Sequence, residues 1–595
     1  MYAHVIRAGR TLTLAFAVLL GHQACAENDY QLHQWIELLG FDNTKPDMGV
    51  DDHLSRVGRK PTAVTLLFST NRIFLMHTDM KSDYRLPVRA CSYFGRQSNP
   101  DRNRQEWTAY QLRALVKELV SRDIDVFAAF FNFKRMPMAD EALDDELGRL
   151  SRFLKDYGFT GFHAADGYSP PCHMLDECAD ADRPRLARAN AVRFAANIKR
   201  MVDALKPQGF KVYVNSCWTR DPYEALFRHG VDYRLLAKTG IDGVYVESSA
   251  AAMTILGRDE GTETMPLDRN QAMVMRVKAS MPNVPCVLLH AINDGQEQWS
   301  ALRHAPCATK AEALTLGNVF YGNRRALVGY LSCLSDGLTA SEWETLRKTW
   351  DLSFVPVKAP VGVRVVWSDR AFDAEFDACA VSRDASSNTL LAELIAKGAI
   401  VNGIVSVEDA LKDTSLPLLI LNPQFFPQEE LAALRQRMAS VIEFGRGAKS
   451  IRNLPYKMLT EKEKKFPGMP TVRNNWSNPL PENMPDEIEV LAVADTINTV
   501  PVPYAPMTPG VRSWAVVLEN GRLGVFARNG SSKYVTAQFA MLDSDDINPT
   551  DVQVHTEFPC VPPRTILQMK IAPQEAVMFS LGDRGLLPLN RPPER

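Results

Sequence analysis

Between residues 60 and 352 the chain alternates short, nearly continuous apolar runs with longer segments whose apolar residues recur at helical spacing. The runs AVTLLFS (63–69), DVFAAFFNF (125–133), FTGFHAA (159–165), FKVYVNS (210–216), DGVYVES (242–248), PCVLLHA (285–291) and LVGYLSC (327–333) are rich in β-branched and aromatic residues and read as strands. Their apolar continuity implies a sheet covered on both faces, and their alternation with helices implies parallel pairing. A weakly marked eighth strand in LPVRACSYF (86–94) closes a (β/α)8 TIM barrel, with ASEWETLRKTWDL (340–352) as its last helix.

The pattern changes after FVPVKAPVG (354–362), a Pro-rich linker. VRVVW, LPLLILN and VIEFG read as strands between helices in NTLLAELIAKG and PQEELAALRQRMAS, which predicts a small three-layer α/β domain. Residues 450–500, with NNWSNPLPENMPDE, read as a long connection. SWAVVLENGRLGVFARN then gives two strands joined at Asn-Gly, a strong hairpin signal, and with KYVTAQFAML and AVMFSLGD it predicts a terminal β-sandwich. The resulting organisation is a signal peptide at 1–26, a catalytic barrel at 27–355, the small α/β domain at 356–450, and a linker with the β-sandwich at 451–595.

The signal peptide rests on Arg7 and Arg10, the apolar run TLTLAFAVLLG and the small residues Ala24 to Ala26. That run is too short for a transmembrane helix, so an exported protein without a membrane span is expected. With 68 basic and 70 acidic side chains, the formal net charge of −2 favours neither nucleic acid nor an anionic membrane as partner. Of ten cysteines nine follow residue 26, an odd number at irregular spacing and so no disulfide scaffold. Cys172 and Cys178 are spaced for a loop bridge; a zinc site there lacks a fourth ligand.

In such a barrel the active site lies at the C-terminal face, so strand ends carry the candidate chemistry. They supply Arg72, Arg135, His163, Asp166, Asn215, Trp218, Arg220, Glu247, His290, Asn293 and Asp336. No His-x-His metal pattern and no phosphate-binding Gly-rich loop accompanies them, so neither metal nor cofactor is expected. Two strand ends echo each other: GFTGFHAADG (158–167) and GIDGVYVES (240–248) both place a Gly-x-x-Gly turn before a strand that ends in an acid. Asp166 and Glu247 then close the fourth and sixth strands, and a pair of carboxylates across a cleft is what glycosidic cleavage requires.

GFTGFHAADG resembles the strand carrying the catalytic aspartate in retaining α-glycosidase barrels of the α-galactosidase and α-glucosidase families. That resemblance implies Asp166 as nucleophile and Glu247 as acid/base. The three-part layout is similar to β-galactosidase-like hydrolases whose second domain resembles a glutamine amidotransferase. The Asn-Glu pair of those enzymes has no counterpart in YVNSCW, where Ser216 follows Asn215, and LILNPQFF lacks a nucleophilic cysteine at the elbow. The second domain therefore reads as structural, available for homo-oligomer contacts.

Tyr168, Trp218 and Trp299 fall on loops over the mouth, where aromatic faces suit sugar rings as well as packing. Arg72, Arg135 and Arg220 follow three strand ends, and arginine clamps carboxylates, which would suit a sialic-acid-type sugar. His163 reads either as an acid or base beside an anionic site or as a core histidine, with Asp166 or Asp336 as partner in the first case. Asp336 also fits the N-terminal region of the last helix. The sequence thus points to an exported, exo-acting glycoside hydrolase that releases a terminal, α-linked sugar from glycans such as mucin-type oligosaccharides, with sialic acid the favoured sugar. The alternatives are α- or β-galactosidase-like hydrolysis of neutral sugars and a glycan-binding protein without turnover.

Overall fold

A computed structural model describes residues 30–68, 72–87, 106–130, 140–165, 179–217, 220–248, 266–292, 300–437, 439–445, 485–498 and most of 504–581. Eight strands close into a parallel barrel: β1 (Gln31–Ile36), β2 (Ala63–Phe68), β3 (Asp125–Phe130), β4 (Gly161–Ala164), β5 (Lys211–Asn215), β6 (Gly243–Ser248), β7 (Cys286–His290) and β8 (Gly329–Cys333). They follow one another around the ring in chain order, with β1 between β2 and β8. Helices between them carry buried apolar stripes onto the outer wall. The last, Ala340–Ser353, starts at a capping box of Thr339 and Glu342 and buries Trp343 and Trp350.

Barrel closure corrects the sequence reading in one place. The eighth strand is QLHQWI, near the start of the described chain, and not the segment 86–94; β2 pairs directly with β3. Leu86 is buried and bonds back to Trp107 in a loop, and 88–94 lie outside the described residues. The ring positions of β4 and β6 are nonetheless those expected.

The paired glycine motifs have two separate physical causes. Gly158 and Gly240 adopt φ of 83° and 87° in the turns ahead of β4 and β6, a region that favours glycine. Gly161 and Gly243 open the strands themselves, where the lumen has no room for a Cβ: one on Gly161 would lie 2.7 Å from the Phe127 ring, and one on Gly243 would enter the Tyr213 ring. Each glycine makes space for the aromatic residue of the preceding strand.

Beyond the barrel a parallel sheet is formed by Val363–Trp367, Val401–Ser406, Leu418–Leu421 and Val441–Phe444. Val363, Val365, Leu419 and Leu421 pack into the large core shared with the barrel, whereas Val366, Leu418 and Ile420 pack under Leu431 and Leu434 of the helix Gln428–Arg435. Both faces are covered, as a three-layer arrangement requires. The sheet is extended by Phe320–Tyr321 and Arg324–Arg325, which lie between β7 and β8 in the chain.

Two antiparallel sheets follow, with Ala515, Val525, Val577 and Phe579 of one packed with Ala537, Phe539, Met569 and Ile571 of the other. The Asn-Gly hairpin joins Val511–Leu518 to Leu523–Asn529, with Gly521 at φ 82°. Two connections are more structured than the sequence implies. Within 354–362, Val357–Pro360 is an edge strand of the first antiparallel sheet, where proline is tolerated. Within 450–500, Glu487–Asn498 is a helix tied down by Lys397–Glu487 and by the Asn498 side chain at Gly398 and Ile400.

Candidate active site

Alternation along each strand decides which side chains enter the lumen. Low in the barrel Lys211 pairs with Asp125 at 2.5 Å. Phe127, Tyr213 and Tyr245 fill the middle, with ring centroids 5.2 and 5.1 Å apart along the stack. Tyr245 Oη donates to His33 Nδ1 at 2.9 Å, while His33 Nε2 donates to Gln31 Oε1 at 3.2 Å. Aromatic rings therefore plug the middle of the barrel, and its C-terminal mouth lies beyond them.

His163 on β4 lies above this plug, fully buried, with Tyr245 and Trp35 at ring-centroid distances of 4.4 and 5.0 Å. Its Nε2 donates to Asn215 Oδ1 on β5 at 2.6 Å. The bond fixes the Asn215 amide with its oxygen toward the imidazole and its NH₂ away from it. Burial lowers the His163 pKa to about 4, partly opposed by the bond to Asn215, so the ring is neutral at pH 7 and serves as a donor that orients Asn215.

Glu247 stands two residues beyond Tyr245 on β6, so its side chain falls on the same lumen face, half-buried at the strand's C-terminal end. Its backbone N–H donates to Ser216 Oγ at 2.9 Å, which ties the end of β6 to the residue after Asn215. His163, Asn215 and Glu247 thus come together on three adjacent strands. Asp166 lies one residue past Ala165, outside the described residues, as do Arg135, Trp218 and Asn293, Tyr168 and Trp299, and the Cys172 and Cys178 loop.

The remaining candidates occupy other places. His290 is not a mouth residue: its neighbours Leu289 and Ala291 face the lumen, and His290 faces outward, where Trp350 Nε1 donates to its Nδ1 at 3.3 Å. Arg220 is buried after β5 and lies 3.8 Å from Glu224. Arg72 is exposed at the start of a short helix after β2. Asp336 does not cap the last helix, a role Thr339 fills; its Oδ1 accepts from the Glu37 N–H at 3.4 Å and joins the ends of β8 and β1.

That contact brings in residues the sequence reading missed. Ile36 and Leu38 pack into the outer core and Trp35 into the lumen cluster, so Glu37, in extended backbone between Ile36 and Leu38, falls on the lumen side. It is fully buried. The available signal was a carboxylate directly after an aromatic-containing strand, hidden because QLHQWI did not read as a strand. Among the described residues no cluster of three or more His, Cys, Asp or Glu side chains is arranged to hold a metal, and no helix is long and apolar enough to cross a membrane.

No family model matches the chain, and no curated protein matches it in sequence. Solved structures do match. A β-galactosidase from the psychrophilic Marinomonas ef1 aligns over 93% of this chain and 100% of its own at 12% identity, with a TM-score of 0.51. The GH42 β-galactosidase Gan42B aligns over 92% and 93% of the two chains at 10% identity and a TM-score of 0.48. A GH5_18 protein from Streptomyces cattleya, crystallised with Manβ1-4GlcNAc, aligns over 70% and 98% at 13% identity and a TM-score of 0.40. At such identities the Marinomonas match establishes a shared fold, an eight-stranded parallel barrel followed by additional sheets over nearly the whole chain.

Proposed function

We propose that the protein is an exo-acting glycoside hydrolase working at the C-terminal mouth of its barrel. The observation that carries this reading is Glu247, a half-buried carboxylate at the lumen end of β6, beside the oriented amide of Asn215 and above an aromatic plug. Glycosidic cleavage needs one carboxyl group to protonate the leaving oxygen and a second to attack the anomeric carbon or to activate water. Glu247 is assigned the acid/base role and Asp166, following β4, the nucleophilic one. Neutral His163 holds Asn215 for a substrate hydroxyl. Whole-chain likeness of fold to the Marinomonas β-galactosidase supports the class.

A neutral, galactose-type terminal sugar is the better supported substrate. Arg220, one of three arginines available to clamp a sugar acid, is buried beside Glu224, while Glu37 and Asp336 add carboxylates at the β1 and β8 ends. Sialic acid on mucin-type glycans then depends on Arg72 and Arg135. Residues 1–26 are assigned as an export signal, so the substrate would be met outside the cytoplasm.

The test is a panel of fluorogenic α- and β-galactosides, glucosides and a sialoside, together with mucin-type oligosaccharides analysed by mass. Release of a single neutral sugar is expected. Asp166→Asn and Glu247→Gln should each reduce turnover by roughly 10²-fold or more without loss of fold. A fully active double variant would overturn the assignment, and oligosaccharide affinity without turnover would move the protein to the glycan-binding class.

A further inference from the structure

Glu247 belongs to a strand end whose surroundings are fixed from an unexpected direction. The helix Pro266–Ser280 returns to the barrel after the β6 loop, and its first two turns carry three anchors at nearly successive positions. Asp268, buried, forms an ion pair with the fully buried Arg528 of the β-sandwich and lies 3.6 Å from Arg512 of the same sheet. The Asn270 side-chain amide donates to Ser248 Oγ at 2.8 Å, and Ser248 is the residue next to Glu247. The Gln271 side-chain amide donates to the Val401 carbonyl of the parallel sheet at 3.0 Å. One helix start therefore touches the β-sandwich, the parallel sheet and the strand bearing the proposed acid.

We infer that this junction is a positioning device: Asn270, held through Asp268 and Arg528, fixes the end of β6 and so the placement of the Glu247 carboxylate. The inference rests on the glycosidase reading above. Its physical basis is that Ser248 and Glu247 point to opposite faces of β6, so a bond to Ser248 from outside the barrel sets the rotation of the strand end that aims Glu247 inward. Both sides of the bond are buried, where a hydrogen bond has well-defined geometry and no competing water. Arg528 and Asp268 are likewise buried, so the β-sandwich cannot shift without moving the helix start or leaving a charge unpaired. Asn270 and Asp268 do not touch the reacting atoms; they act through Glu247.

The experiment is a double-mutant cycle in the full chain, with Ser248→Ala, Asn270→Ala and their combination, assayed on a glycoside that the parent hydrolyses. Each single variant is expected to lower kcat about tenfold or more with KM nearly unchanged, because small displacements of a catalytic group act on the transition state. The double variant should be no worse than either single one, the alkaline limb of the pH–rate profile, set by loss of the acid/base proton, should move, and Ser248→Thr, which keeps the hydroxyl, should restore activity. Asp268→Asn combined with Arg528→Met removes the buried pair and leaves Arg512 as the one remaining cation, still donating to the Gly510 carbonyl at 2.6 Å, and should reproduce the kcat loss and the moved pH limb. Unchanged kcat and pH profile in folded variants, with only thermal stability lowered, would overturn the positioning role. Additive losses in the cycle would overturn it equally. A parent chain inactive on every glycoside would instead overturn the glycosidase reading, and this role with it.

Discussion

His33, His163 and His290 are fully buried at the barrel wall and lumen, and burial drives their pKa values down to about 3, 4 and 4. Above about pH 6.5 folded and unfolded chains are both neutral at these sites, so titration there is silent. Between about 6.5 and 4 the unfolded chain binds protons that the folded one refuses, and stability falls as the pH falls. For His163 the loss is complete below about pH 4 and amounts to on the order of 3 kcal/mol. Denaturant unfolding at several pH values should therefore give a shallower slope for His163→Gln than for the parent. Comparing the two isolates His163 from groups such as Asp221, whose carboxyl is pushed up to about 7 by burial and by Glu224. Equal slopes would mean that His163 titrates alike in both states. At this scale the sequence located His163, Asn215 and Glu247 at strand ends, but not which way each side chain turns. His290 fails because Leu289 and Ala291 occupy the inward parity of β7, a fact that requires knowing where the strand sits in the ring.

Strands β2 to β8 were legible as elements because each is an apolar run between turns, and β1 was not because half of QLHQWI is polar. Those polar groups are satisfied only in three dimensions: His33 by Tyr245 from β6, and Gln34 Oε1 by His53 Nε2 at 2.9 Å from the following helix. A buried polar residue with a distant partner looks, in sequence, like a surface residue. Missing β1 also hid Trp35 and Glu37 at the mouth. The glycine echo was visible, but its cause was not, since the Tyr213 ring that excludes a Cβ at Gly243 comes from a neighbouring strand. Gly243→Ala should therefore destabilise the barrel by about 1–3 kcal/mol through overpacking, with the loss reduced when Tyr213 is shortened to Leu in the same chain. Calorimetry on the two variants checks this. A neutral Gly243→Ala would mean that the stack of Phe127, Tyr213 and Tyr245 can shift to admit a methyl group.

At the scale of the whole molecule the barrel and the sheets behind it share structure that a linear division at residue 355 would cut. Phe320 and Tyr321 leave the barrel between β7 and β8 and pair with Gly403 and Ile404, adding strands to the parallel sheet. Their side chains are almost wholly buried, and Arg325 donates to the carbonyls of Ser353 and Val355 at 2.8 and 2.6 Å, bracing the point where the chain leaves the last barrel helix. Across the same boundary Arg234 and Arg188 converge on Asp373, at 2.7 and 2.9 Å, and hold its carboxyl below the usual range against burial. Removing everything after residue 355 would expose the edge of Phe320–Tyr321 and the apolar flank of the helix Pro266–Ser280, where helix Ser387–Ala396 packs. An unpaired strand edge beside exposed apolar surface promotes association rather than folding. A chain truncated at residue 355 is therefore expected to aggregate or to lack a cooperative unfolding transition, whereas the full chain should unfold with barrel and parallel sheet in one calorimetric step. A soluble, cooperatively folding truncation would show that the Phe320–Tyr321 pairing is dispensable, and that the barrel holds its mouth in place without the sheets behind it.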